Sequence, residues 1–174
     1  MRKIAIMLVS LIAIIASVRD SSAQLRALTL QGDTVTISDT GAMKTLIVLW
    51  NPFNCRACVH DLAEAIHHTD FDTARSNVIL LMRSGNDQES RAEDFIMLKR
   101  VFPGVKNFLF DIQSGYDQSP RDVKEGIFGM LQVHNTPALY SLTSLKSTYY
   151  PYSDLFDSTG LSVAGSAVIW DALR

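Results

Sequence analysis

Cysteine is nearly absent from this chain. Two stand in 174 residues, Cys55 and Cys58, and they lie three positions apart in "LIVLWNPFNCRACVHDLAEAI". With no second Cys-x-x-Cys, a four-thiolate zinc site is excluded. His60, His67 and His68 share the segment that follows, whereas tetrahedral sites usually draw their remaining ligands from a separate stretch. Clusters of lysine or arginine are also lacking, and the formal net charge is −2, so nothing marks a nucleic-acid surface. There is no internal repeat and no low-complexity linker.

Long apolar runs are scarce as well. The one near the start, Ile4 to Ala16, is well short of the ~20 residues that cross a bilayer. It follows Arg2 and Lys3 and precedes the small residues of "SSAQ", which is the pattern of an export signal cleaved after Ala23. The other reading is a retained anchor helix. No cysteine lies near that boundary to carry a lipid. The expected mature chain, residues 24–174, then works outside the cytoplasm, in a periplasmic or similar space where disulfides persist. At 174 residues and 47% hydrophobic, the whole chain holds one packed core and is too short for two comfortable domains.

The pattern of the mature chain is that of an α/β protein. "LRALTLQGDTVTISDT" alternates on either side of Gly32-Asp33 and predicts a β-hairpin, followed by a fully buried strand from Leu46 to Trp50. Cys58, Leu62, Ala65 and Ile66 recur at helical spacing and predict a helix from Cys55 to about His68. "SNVILLMRS" and "VKNFLFD" read as strands. Between them "ESRAEDFIMLKRVF" has helical spacing through Ala92, Phe95, Ile96 and Leu98, and ends at Pro103-Gly104. Ser119-Pro120 suits a helix entry and precedes a short helix over Val123 to Met130. "PALYSLT" and "STYYPYS" are two further strands. A closing helix from Val163 to Leu173 buries Val163, Ala167, Ile169, Trp170 and Leu173. Strands alternating with helices, then a late hairpin and a final helix, predict a sandwich around a mixed sheet.

The two thiols fall where chemistry is expected. A helix N-terminus offers unpaired N–H groups and partial positive charge, which favour a thiolate, and Arg56 adds a full charge beside Cys55. Cys55 is the predicted nucleophile. Cys58, one turn further and on the same face, is placed to resolve a mixed disulfide. So small a loop makes a poor structural staple, because closing it removes little unfolded-state entropy. In the second half, Thr136-Pro137 opens a predicted strand, and an X-Pro bond is where a cis peptide costs least.

Taken together, these features resemble the thioredoxin fold: a hairpin, a buried strand ending in Trp50, Cys55-Arg56-Ala57-Cys58 opening a helix, Thr136-Pro137 leading into a hairpin, and a final helix. The added hairpin "LTLQGDTVTISD" and the threonine before the proline are similar to exported thiol-disulfide oxidoreductases of the TlpA and ResA type. The resemblance implies a three-layer sandwich and an active site of Cys55, Cys58, Thr136 and Pro137. It also implies a cis proline beside the cysteines, no cofactor, protein disulfides as substrates and a separate thiol electron donor. A monomer is the default. Several positions depart from the pattern. Asn54 replaces an aromatic residue, with Phe53 nearby, and Ala63 replaces a helix-kinking proline. Val48 stands where thioredoxins keep a buried acid, which leaves Asp61, or else Glu64, as the acid available to move protons. Two other readings stay open. A thiol peroxidase would need a threonine where Pro52 stands. An exported copper chaperone would use Cys55, Cys58 and His134.

Overall fold

The computed structural model describes residues 25–38, 43–52, 55–85, 87–112, 126–143 and 146–174. The expected signal segment, Phe53 and Asn54, and the Ser119-Pro120 helix entry lie outside the described residues.

Seven strands form one sheet in the order β2-β1-β5-β4-β3-β6-β7. In chain order they are β1 (Leu25–Leu28), β2 (Thr34–Ile37), β3 (Lys44–Trp50), β4 (Ser76–Met82), β5 (Asn107–Asp111), β6 (Ala138–Thr143) and β7 (Lys146–Tyr150). Strands β3, β4 and β5 run parallel, while β6 is antiparallel to β3 and β7 to β6. The N-terminal hairpin turns through Gly32 at φ +95°, a backbone region that favours glycine, and adds through β1 to the outer side of β5.

Both faces of the sheet are covered. Along β3, Leu46, Val48 and Trp50 enter one core cluster while Ile47 and Leu49 enter the other, as strand alternation requires. The first cluster takes Leu62 and Ile66 from α1 (Arg56–His68) and Leu98 from α2 (Gln88–Val101). It also takes Ile169 and Leu173 from the last helix (Val163–Leu173). The second cluster is covered by α3 (Gly126–Met130), through Ile127 and Phe128. The result is a three-layer α/β sandwich with a mixed sheet and an added hairpin.

Two expectations need correction, and one helix buries other positions than its apolar spacing marks. On α2 the buried positions are Arg91, Asp94 and Leu98, while Ile96 is exposed. The helix turns a polar stripe inward: Arg91 donates to the Leu30 carbonyl, and Asp94 accepts a 2.6 Å bond from the Ser84 hydroxyl. In the last helix Val163, Ala167 and Trp170 are exposed, and the buried stripe is Gly165, Ile169, Ala172 and Leu173. Gly165 faces inward, where a β-carbon would run into the Leu155 carbonyl oxygen, so only glycine permits this approach. Trp170 is covered instead by the Arg174 guanidinium, 3.7 Å above its ring. Finally, "STYYPYS" is not all strand. It stops at Tyr150, because Pro151 cannot donate a ladder hydrogen bond, and turns into α4 (Tyr152–Leu155). A small hairpin of β8 (Phe156–Asp157) and β9 (Gly160–Leu161) follows and packs on α1 before α5 (Val163–Leu173) begins.

Candidate active site

The site forms where β3 ends. Cys55 is the N-cap of α1, and its Sγ accepts a 3.2 Å hydrogen bond from the Cys58 backbone N–H. The sulfur thus takes one of the donors that a helix leaves unpaired in its first turn. Cys55 is half-buried and Arg56 beside it is exposed, whereas Cys58 is 6% exposed and packs in the core with Trp50 and Val59. The two sulfurs are joined in a disulfide.

The sheet register brings the second segment to the same place. Leu49 pairs with Ala138, so continuing the antiparallel ladder sets Trp50 against Pro137 and Asn51 against Thr136. The Asn51 N–H donates to Thr136 Oγ1 at 2.9 Å, tying the loop before the cysteines to the residue before the proline. The Thr136–Pro137 peptide is cis, and both residues are buried. Trp50 is 3% exposed, and its Nε1 has no hydrogen-bond partner among the described residues.

Asp61 sits one turn beyond Cys58, half-buried, against the β8–β9 hairpin. A β-carbon at Gly160 would come within 2.6 Å of its Oδ2. The side chain that reaches Cys58 Sγ is instead Tyr152 of α4, whose hydroxyl lies 3.2 Å away. The Tyr152 ring stacks on Phe156, with centroids 4.9 Å apart and planes at 15°. Sequence reading missed this residue, since "YYPYS" signals a strand and its reach to a thiol 94 positions earlier has no local pattern. Pro151 was the available hint that the strand stops short. His134 is exposed, and among the described residues no three metal-ligating side chains come together.

Another buried ionic group stands at the end of β5. Asp111 accepts from the N–H groups of Ile112, Ile127 and Phe128, so it caps α3, and burial holds its carboxyl above the usual range. Burial likewise pulls the Arg83 guanidinium down, against the opposing pull of Asp111.

No protein-family model matches the chain, and no curated protein matches its sequence. Solved structures do match. The thioredoxin domain of a thiol-disulfide oxidoreductase from Bacteroides vulgatus superposes with a TM-score of 0.55 at 12% identity, covering 88% of this chain and 95% of that one. A thiol-disulfide isomerase from Corynebacterium glutamicum gives 0.54 at 15% identity, covering 89% and 98%. A secreted disulfide oxidoreductase of Mycobacterium tuberculosis, homologous to E. coli DsbE, gives 0.50 at 14% identity, covering 88% and 97%. The chain therefore has a thioredoxin-like fold, as its motif order implied. Its Cys-x-x-Cys pair stands at the head of the first described helix, at disulfide distance.

Proposed function

We propose that the protein is an extracytoplasmic thiol-disulfide oxidoreductase of the TlpA and ResA type, acting as a reductase of disulfides in exported proteins. The observation that carries this reading is the disulfide between a half-exposed Cys55, hydrogen-bonded at the head of α1, and a buried Cys58. An asymmetric pair of this kind exchanges disulfides stepwise. The Cys55 thiolate attacks a substrate disulfide, one substrate sulfur leaves as a thiolate and takes a proton, and a mixed disulfide forms. The Cys58 thiolate then attacks Cys55 Sγ, the second substrate sulfur leaves, and two electrons have passed to the substrate.

The supporting residues follow from the register. Thr136 and Pro137 lie beside the end of β3, where an extended substrate backbone would pair, while Arg56 adds positive charge next to the nucleophile. Trp50 forms the buried floor, and Asp61 is the acid on the Cys58 side of α1. Recharging falls to a separate thiol donor, and the protein acts as a monomer. Export rests on the N-terminal signal pattern. It is supported by the secreted nature of the M. tuberculosis neighbour, and no helix among the described residues is long and apolar enough to cross a membrane.

Equilibrating the protein in glutathione buffers of graded poise, then counting thiols by mass after alkylation, tests the reading. A reversible two-electron transition near or below about −230 mV is the expected result, and one near about −120 mV makes the protein an oxidant. Failure to cycle at any poise overturns it.

A further inference from the structure

The Cys58 sulfur is bonded to Cys55 and carries no hydrogen, so in the 3.2 Å contact between them the Tyr152 hydroxyl must be the donor. The ring is held by its stack on Phe156, and its segment is held by Gly165 packing against the Leu155 carbonyl. The donor is therefore fixed in place before any reaction begins.

Each sulfur of the disulfide thus has a donor at 3.2 Å, the Cys58 N–H on Cys55 and the Tyr152 hydroxyl on Cys58. We infer that Tyr152 is a catalytic residue that stabilises Cys58 as a thiolate, making Cys58 the leaving sulfur when the disulfide is reduced and the attacking sulfur when a mixed disulfide is resolved. The inference rests on the oxidoreductase reading and adds the group that serves the buried thiol, a position where Val48 offers no acid.

On recharging, a thiolate of a dithiol donor attacks Cys55 Sγ, and the Cys55–Cys58 bond breaks. Cys58 leaves with the electron pair and receives the Tyr152 hydrogen bond, then takes a proton from solvent. The donor's second thiolate attacks its own sulfur in the mixed disulfide and releases Cys55. Cys55 leaves as the thiolate held by the helix end, so two electrons and one proton have moved to the pair, and Tyr152 has kept its own proton. Attack is directed to Cys55 because it is the more exposed sulfur, and the Tyr152 hydrogen bond speeds the departure of Cys58.

The other ionisable groups on the elements packed there are differently placed. Asp61 has its carboxylate against Gly160, while Arg56, His60, Glu64, His67 and His68 of α1, Asp154 and Asp157, and Asp171 and Arg174 of α5 are exposed. The chain has no third cysteine, so Cys55→Ala leaves Cys58 as the single thiol, and its titration can be read from the pH dependence of alkylation.

Adding Tyr152→Phe, which keeps the stacked ring and removes the donor, should raise the Cys58 midpoint by about one pH unit, a tenfold loss of thiolate at a given pH. In the two-cysteine chain the same change should slow release of glutathione from Cys55 about tenfold below that midpoint. Fluorotyrosine at position 152, a stronger donor of the same shape, should move the midpoint the opposite way, which a purely packing role would not do. It also decides the matter if Tyr152→Phe folds poorly. Superimposable titrations for tyrosine, phenylalanine and fluorotyrosine overturn the inference. A wild-type chain that never cycles in glutathione buffers overturns the oxidoreductase reading instead, while the Cys58 titration still reports on Tyr152.

Discussion

The two sulfurs of one disulfide lie in opposite surroundings. Cys55 sits on the rim, half-buried, capped by a backbone N–H and flanked by an exposed arginine. Cys58, a single helical turn away, is packed among core side chains and touched by one hydroxyl from a distant helix. The rim is built by local sequence, since helix-terminal donors and the neighbouring charge come from the same few residues. The interior is built by tertiary packing, because α4 reaches the thiol only through the sheet, the β8–β9 hairpin and α5. A disulfide placed across that boundary has a sulfur that meets partners and a sulfur that is shielded from them.

The sharpest way to break the comparison is to remove each sulfur in turn. Cys55→Ser should reduce disulfide exchange to the background of free thiols, whereas Cys58→Ser should still attack and then stall, accumulating mixed disulfides visible by mass. Equal behaviour of the two variants would end the asymmetric picture.

A smaller effect is expected where α5 meets α4. Gly165→Ala sets a β-carbon against the Leu155 carbonyl and should cost about 1–3 kcal/mol in chemical denaturation. It should disturb Cys58 reactivity through the α4 segment more than it disturbs Cys55.

On the rim side, Thr136→Val keeps the shape but leaves the Asn51 N–H without its 2.9 Å acceptor, a loss of about 1–3 kcal/mol if no water replaces it. Exchange rates should fall with the stability, since the loop before Cys55 is tied there.

The mildest effect is a pH dependence belonging to neither sulfur. The folded carboxyl of Asp111 is held above its unfolded value by burial, so the folded chain binds more protons than the unfolded one between the two. Its contribution to stability is full below the unfolded pKa and declines as pH rises through the folded one. A reduced chain with both cysteines alkylated should keep this slope in denaturation measured across pH. Its disappearance would show that the thiols, not Asp111, govern the acid side of the stability curve.

How far each part was legible follows from range. The alternation in β1 and β2, the unbroken apolar β3 and the helical recurrence of Cys58, Leu62 and Ile66 are local patterns, and a single window carries each of them. Trp170 was misread as buried, and the apolar spacing through Ile96 does not mark the buried face of α2, because helical periodicity admits two faces. The choice was made elsewhere, by the Leu30 carbonyl that receives Arg91 and by the Leu155 carbonyl that admits only Gly165.

By itself the sequence determined an α/β chain with two cysteines at a helix head and a threonine-proline opening a later strand, because spacing and turn chemistry are written within a few residues. Tertiary structure alone decided that Asn51 meets Thr136 and that Tyr152, rather than an acid, faces the buried sulfur. Those contacts join residues 85 and 94 positions apart, and only the closed sheet and its packed helices bring them within hydrogen-bonding distance.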